Sequence, residues 1–215
     1  MLLYNLHTHT SSEDNTIFGI VNRYPNEDID VPFFSTGIHP WHIDEEKVDE
    51  HLAIIEKRLS MQGCLAIGEC GLDKRIEKPL NLQIEVFEKH LLLAKKHQKP
   101  VILHLVAAFQ ELIEVHNRIK PGVPMIVHGF SKNVQVAKQL LDNGFYLSFG
   151  KYLLRNPELS AVFAQVPADR FFLETDSMEQ SIAEVYAKAA MARNITIEDL
   201  KDIVSTNFKT VFKNG

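Results

Sequence analysis

The sequence has 215 residues, of which 45% are hydrophobic and 24% are charged, and its formal net charge is −5. This composition is typical of a globular chain that can bury a sizeable core, and it excludes a disordered or fibrous protein. The negative charge argues against a protein that binds nucleic acid through bulk electrostatic attraction. We find no linker or internal repeat that would divide the chain, so we predict a single domain over residues 1–215.

Several features favour the cytoplasm. No segment reaches the roughly 18 consecutive apolar residues of a membrane-spanning helix, and the N-terminus lacks the pattern of a signal peptide. The two cysteines, Cys64 and Cys70, form neither a CxxC motif nor a disulfide framework. We therefore expect a cytoplasmic protein with no membrane partner and no obligate protein partner.

Short apolar runs alternate along the chain with longer segments of helical period. Eight strands are predicted over 2–6, 17–21, 33–38, 64–69, 101–105, 125–130, 145–149 and 171–175. Helices are predicted over 44–60, 80–98, 107–119, 133–142, 157–165, 179–193 and 196–212. This alternation indicates an α/β protein with a parallel sheet, and eight strands predict a TIM-type (β/α)₈ barrel. The first two strands are too close in sequence for the usual helical crossover, so we expect the barrel to be shortened near its first βα unit.

Polar residues of metal-ligating type lie at the carboxyl ends of the predicted strands. His7 and His9, in "NLHTHT", alternate with residues of the other face and so point to the same side of the first strand. In a barrel of this kind, the carboxyl ends of all strands meet at the face where active sites form. The predicted metal ligands at that face are His7, His9, Glu69, His104, His128 and Asp176.

This ligand set indicates a divalent metal centre. Imidazole nitrogen and carboxylate oxygen suit ions such as Zn²⁺ and Mn²⁺, and without a cation these buried polar groups would be poorly paired. Four histidines and two carboxylates exceed the needs of one catalytic ion. We therefore predict two ions that share a carboxylate and activate a water molecule for hydrolysis.

Motifs along nearly the whole chain carry a family resemblance. The segments "NLHTHT", "STGIHPW", "AIGECGLD", "VILH", "IVHGF", "YLSFG", "FLETDS" and "STNFKTVF" follow the order found in TatD-family metal-dependent hydrolases, often described as TatD-type deoxyribonucleases. The chain resembles a shortened member of that family. The resemblance implies an amidohydrolase-like TIM barrel with a two-metal centre.

The resemblance also implies roles for individual residues. One ion would be held by His7, His9, Glu69 and Asp176, and the other by Glu69, His104 and His128. Glu69 would thus bridge the ions, and Asp176 would also accept the proton of the attacking water, which makes both of them catalytic. The two divalent ions would be Zn²⁺, Mn²⁺, Mg²⁺ or Ni²⁺. An alternative reading of Asp176 is that it caps the helix that follows it.

Three further residues are candidates for substrate binding. His39, in "GIHPW", matches a family position near the site, although it is equally an ordinary loop residue. Asp73 is a candidate acceptor that would fix a ligand histidine, and Lys74 is a candidate phosphate contact, although a solvated surface lysine is the simpler reading. His90 lies on a predicted helix and has the pattern of a surface or interface residue.

The sequence departs from the family pattern at places that would help to hold a nucleic acid. Val106 occupies a position that is usually basic, and the segment after Asp176 enters a helix almost at once. The predicted substrate is therefore DNA or a small phosphodiester. The alternatives are a metal-dependent hydrolase of small phosphoesters or cyclic amides, and a non-catalytic barrel scaffold.

Overall fold

The computed structural model describes residues 2–212. All eight predicted strands are present in the described part of the chain, and their order in the sheet is their order in the sequence. The strands are β1 Leu3–Thr8, β2 Ile17–Arg23, β3 Phe34–Thr36, β4 Cys64–Asp73, β5 Val101–Val106, β6 Met125–Val127, β7 Tyr146–Phe149 and β8 Phe171–Leu173. The pairs β1–β2, β3–β4, β4–β5 and β7–β8 are parallel. This is the strand arrangement of the predicted (β/α)₈ barrel.

Helices separate the strands over most of the chain. They are α1 Val48–Leu59, α2 Leu80–His97, α3 Phe109–Ile119, α4 Val134–Asp142, α5 Lys151–Arg155, α6 Pro157–Gln165, α7 Ile182–Arg193 and α8 Ile197–Val211. Short 3₁₀ turns occupy Pro40–His42 and Ala168–Arg170. None of the helices in residues 2–212 is long and apolar enough to cross a membrane.

Helices α5 and α7 differ from the sequence-based expectation in ways that bear on the site. Helix α5 was not predicted, because a helix of five residues is too short to show a helical period. Helix α7 begins at Ile182, because Ser181 and Glu184 form a capping box. Asp176 therefore does not cap that helix, and the alternative reading of this residue is wrong. The predicted absence of a helix between β1 and β2 is confirmed, since residues 9–16 contain no helical residue.

Contacts divide the described chain into two compact units. The first holds the residues up to Val21 and those from Val127 onward, and the second holds Asn22–Ile126. The prediction of a single domain over 1–215 stays a prediction, and four of its residues, 1 and 213–215, lie outside the described part.

In the first unit, β1 pairs with β2 on one side and meets β8 on the other. A parallel bridge joins Thr8 to Asp176 just beyond the end of β8. Aromatic side chains fill the core, where the ring of Phe163 lies 4.9 Å from the rings of both Phe149 and Phe171. The ring of Phe208, on α8, lies 4.5 Å from the ring of Phe212, which directly follows α8. This packing fixes β1, which carries His7, and β8, which precedes Asp176.

In the second unit, α1 and α2 cover β4, which runs between β3 and β5. All ten residues of β4 are buried, as expected for a central strand of a parallel sheet with a covered face. Gly71 of this strand is paired with His104 of β5. The φ of Gly71 is 143°, a backbone conformation that residues with a side chain rarely adopt. A Cβ atom at this position would also clash with the carbonyl oxygen of His104, so only glycine fits. Gly71, the second glycine of "GECGLD", thus lets β4 approach β5, which brings Glu69 beside His104.

Candidate metal centre

The structure gathers the six predicted ligands, with three further polar residues, into two clusters, one in each unit. The Asp176 cluster, in the first unit, consists of His7, His9, His128, Glu174 and Asp176. The Glu69 cluster, in the second unit, consists of His39, Glu69, Asp73 and His104.

In the Asp176 cluster, the two histidines of "NLHTHT" converge on one carboxylate oxygen. Nε2 of His7 lies 3.6 Å from Oδ1 of Asp176, and Nε2 of His9 lies 3.3 Å from the same atom. The period of two in a strand places both rings on one side, and the backbone N–H of Asp176 donates to the carbonyl of His7. The backbone thus holds Asp176 in register with β1.

The charge of Asp176 is stabilised by its neighbours. Burial alone would raise the pKa of this carboxyl, but its close contacts with His7 and His9 outweigh this effect and hold the pKa well below its ordinary value. The carboxylate is therefore ionised at neutral pH. An ionised carboxylate beside two imidazoles is a suitable donor set for a divalent cation.

His128 and Glu174 complete the Asp176 cluster. His128 directly follows β6, its ring lies 4.5 Å from the ring of His7, and its Nδ1 is 3.4 Å from Oε1 of Glu174. Glu174 is 1% exposed, and its Oε1 accepts a hydrogen bond of 2.6 Å from the backbone N–H of Gly129. Its other oxygen, Oε2, is buried and has no hydrogen-bond partner within residues 2–212. A buried carboxylate of this kind is costly unless a cation or proton is near.

Glu174 is a site residue that we did not predict. Its position in "FLETDS", directly after a fully buried strand, could have indicated a functional role, because glutamate is rarely buried unless it is paired. The partner that explains it, His128, lies 46 positions earlier, and sequence spacing does not reveal that contact.

In the Glu69 cluster, two histidines flank a buried carboxylate. Nδ1 of His104 lies 2.9 Å from Oε1 of Glu69, and Nε2 of His39 lies 3.2 Å from the same oxygen. These three residues offer ligand atoms that all lie within 4.8 Å of one another. The predicted proximity of Glu69 and His104 is therefore present in the structure.

The hydrogen bonds of His39 indicate its protonation. Its Nδ1 accepts the backbone N–H of Trp41, so in the neutral ring the proton is on Nε2, which faces Glu69. Burial is the main cause of a lowered His39 pKa, which keeps the ring neutral. In this state His39 donates a hydrogen bond to Glu69 and orients its carboxylate.

Asp73 contacts the far side of the His104 ring. Oδ2 of Asp73 lies 3.2 Å from Nε2 of His104 and accepts a 2.8 Å hydrogen bond from Nε1 of Trp41. Burial alone would raise the Asp73 pKa, but hydrogen bonds from Trp41, the backbone N–H of Arg75 and His104 lower it. Asp73 therefore occupies the position that we predicted, as an acceptor that fixes a candidate ligand histidine.

The surroundings of His104 fit a cation. Both ring nitrogens face carboxylate oxygens, which accept but do not donate hydrogen bonds when ionised, whereas a neutral imidazole carries one N–H group. With the proton on Nε2, toward Asp73, Nδ1 presents a lone pair toward Glu69. A divalent cation bound by His104 and Glu69 would satisfy both groups. The donor set thus fits a divalent metal ion.

Two other residues have partners that the sequence did not reveal. Lys74 forms an ion pair with Glu111, and its predicted role as a phosphate contact stays a prediction. His90 is fully buried, so its interpretation as a surface or interface residue is wrong. Its Nε2 accepts the N–H of Ile38, and its Nδ1 donates to the carbonyl of Val86. His90 thus supports the segment that carries His39.

The fold and the two clusters define a class of protein, an α/β-barrel enzyme with histidine and carboxylate side chains at the ends of its strands. A model of the family described as TatD related DNase matches residues 9–213. The chain belongs to the TatD family of metal-dependent hydrolases, as its motifs predicted.

Individual relatives agree with this assignment. YabD of Bacillus subtilis, described as an uncharacterized metal-dependent hydrolase, is 28% identical over 205 residues, covering 87% of this chain and 80% of the relative. YcfH of Escherichia coli K12, described in the same words, is 29% identical over 197 residues, covering 83% and 73%. The crystal structure of YjjV, a TatD homolog from Escherichia coli K12, matches with a TM-score of 0.82 and 21% identity, covering 98% of each chain. This last match confirms the predicted barrel fold.

Proposed function

We propose that this chain hydrolyses phosphodiester bonds, with two divalent ions held by His7, His9, Glu69, His104, His128 and Asp176. The observation that carries the proposal is the pairing of ionisable groups in each cluster: two histidines converge on Asp176, and His104 faces Glu69. The family model, described as TatD related DNase, supports a phosphodiester of DNA as the substrate class.

The proposed roles differ between the two clusters. His7, His9 and Asp176 would hold one ion, and His104 and His128 the other, with Glu69 assigned to both by the family resemblance. Such ions, when bound, polarise a phosphoryl oxygen, lower the pKa of water and stabilise the leaving oxygen. The number of ions and the bridging role of Glu69 are parts of the proposal.

The protein's own groups would guide the proton and the ligands. Asp176 is ionised, so it would accept the proton of the attacking water. The oxygen of that water forms a bond to phosphorus, the bond from phosphorus to the leaving oxygen breaks, and the leaving oxygen takes up a proton from solvent. Meanwhile Asp73 and Glu174 would orient the rings of His104 and His128, because each of these carboxylates contacts a ring nitrogen.

A small phosphodiester is a second candidate substrate. Val106 ends β5 where a basic residue is usual in the family, and Ser181 caps α7 five residues after Asp176, which leaves a short connection. Lys74, the nearest lysine in sequence to Asp73, is engaged by Glu111. These features reduce the positive charge available to a long strand.

The test is hydrolysis by metal-reconstituted protein of single-stranded DNA and, in parallel, of bis(p-nitrophenyl) phosphate. We expect turnover of the small diester, which requires the added metal and is lost in Asp176→Asn. Turnover of a cyclic amide instead of either diester would contradict the proposal, and so would a complete lack of hydrolysis in protein that binds metal. Glu50→Gln, which changes an exposed carboxylate on α1, is the matched control and should leave the rate unchanged.

A further inference from the structure

An open pocket lies beside the Glu69 cluster. It has a volume of about 600 Å³ and is lined by Trp41, Glu45 and the segment 75–79. We call it the Trp41 pocket. Its size is in the range of small-molecule sites, which span about 300–1,000 Å³. The pocket adjoins the Glu69 cluster because Trp41 contacts Asp73 and lies 5.8 Å, ring to ring, from His104.

Trp41 is both exposed and held in place. It is 57% exposed, whereas its Nε1 donates a 2.8 Å hydrogen bond to the buried carboxylate of Asp73. Its ring also meets the ring of His39 edge to face, at 5.1 Å. The backbone of Trp41 lies within the 3₁₀ turn Pro40–His42, whose first residue is a proline with a fixed φ. An exposed indole that is fixed at one edge is a preorganised stacking surface.

Two cations line the same pocket. No ion pair within 4 Å involves the side chain of Arg75 or Lys78 in the described part of the chain, whereas their neighbour Lys74 is paired with Glu111. Glu45 and Glu77 also line the pocket, so its formal charge is balanced. This balance suits a ligand with one or two phosphates better than a long polyanion.

We propose that the Trp41 pocket binds one nucleobase of a substrate nucleotide, stacked on Trp41, while Arg75 and Lys78 contact the phosphate that flanks that base. This inference rests on the proposed function, because it makes the pocket a subsite beside the reacting phosphodiester. A stacking surface accepts any base, since every base has a π face, so the subsite selects nucleotides over simple alkyl diesters without reading sequence.

Trp41 provides its own reporter, since it is the single tryptophan of the chain. The probe is the thymidine dinucleotide pTpT, added to the inactive Asp176→Asn protein, and the readout is the fluorescence of Trp41. We expect saturable quenching by pTpT and none by an abasic deoxyribose diester of the same charge. Unchanged fluorescence at saturating pTpT, with binding measured by calorimetry, would overturn the proposal.

Two substitutions at Trp41 separate stacking from the contact with Asp73. Both Trp41→Phe and Trp41→Leu remove the indole N–H, but the phenylalanine retains an aromatic face. We expect Trp41→Leu to weaken pTpT binding, measured by calorimetry, about fivefold or more, as stacking energies imply. Trp41→Phe should retain most of the affinity. Equal affinities of the two variants would contradict a stacking role.

The cations are tested in the same way. Arg75→Ala combined with Lys78→Ala should weaken pTpT binding and lower its salt dependence, whereas Lys57→Ala, on the exposed face of α1, should change neither. An unaltered affinity in the double variant would refute the phosphate contact. These measurements record binding alone and are therefore independent of turnover. Quenching by pTpT in a protein that shows no hydrolysis would contradict the proposed function but support the nucleobase subsite. Hydrolysis in a protein that shows no quenching would support the proposed function but contradict the subsite.

Discussion

Asn5 and Thr175 exchange two hydrogen bonds in the first unit. The amide Nδ2 of Asn5 donates to Oγ1 of Thr175 at 2.8 Å, and the backbone N–H of Thr175 donates to Oδ1 of Asn5 at 3.0 Å. Asn5 lies two residues before His7, and Thr175 directly precedes Asp176. This buried pair therefore ties the strand that carries the histidines to the segment that carries the carboxylate.

The first prediction concerns this pair. Asn5→Ala should lower the free energy of unfolding by about 1–3 kcal/mol, because the buried N–H and hydroxyl groups of Thr175 lose their partner. Metal affinity should also fall, by roughly tenfold or more, because Asp176 is less well positioned relative to His7. Urea unfolding and metal titration measure the two effects.

Thr175→Val is the matched comparison for Asn5→Ala. It removes the hydroxyl acceptor but retains the backbone N–H donor, so its effects should be smaller on both measurements. Asn5→Ala protein with the stability and metal affinity of the wild type would show that the pair has no positioning role.

The second prediction concerns Asp73. Asp73→Ala should lower metal affinity by about 10- to 100-fold, the usual cost of removing an acceptor that orients a ligand histidine. The reason is that His104 loses the group that holds the proton on Nε2 and leaves Nδ1 available toward Glu69. Metal titration monitored by calorimetry checks this, with Glu50→Gln as the control. Wild-type affinity in Asp73→Ala would contradict the orienting role.

The third prediction is a pH dependence that arises at His90. Burial lowers the pKa of His90 to about 4, whereas a histidine in an unfolded chain has a pKa of about 6.5. Between these values the unfolded state binds a proton that the folded state does not bind. The free energy of unfolding therefore decreases as the pH falls from about 6.5 to about 4, by at most roughly 3 kcal/mol from this group.

The difference between wild type and His90→Gln isolates this contribution. Metal-free protein is unfolded with urea at several pH values, and the variant should lose stability less steeply below pH 6.5, although it is less stable at pH 7. Parallel curves for the two proteins would show that His90 is not the titrating group.

How much of this structure can be predicted from the sequence depends on whether the interactions are between residues that are close together in the chain. Strand and helix periodicity are local, so the eight strands and the absent first helix could be predicted, as could the placement of His7 and Asp176 at strand ends. Contacts between distant side chains are not local. The pairing of Glu174 with His128 and the burial of His90 depend on how strands and helices pack, and a five-residue helix such as α5 leaves no period to detect.

The fourth prediction concerns long single-stranded DNA. With a net charge of −5, and with Arg75 and Lys78 as the cations that line the Trp41 pocket, the protein should engage about one or two phosphates. The slope of log affinity against log salt concentration, measured on Asp176→Asn protein, should therefore be roughly −0.7 to −1.4. A slope several times steeper would reveal an extended basic groove and favour a strand-binding nuclease over a hydrolase of small diesters.

The metal content of the Glu69→Gln variant tests the central claim most directly. If both clusters hold ions and Glu69 supplies charge to each of them, wild-type protein purified under mild conditions should contain about two divalent ions per chain. Glu69→Gln should then lose most of both, whereas Glu50→Gln should retain them. Elemental analysis that found two ions and full activity in Glu69→Gln, or no ion in the wild type after reconstitution, would contradict the account.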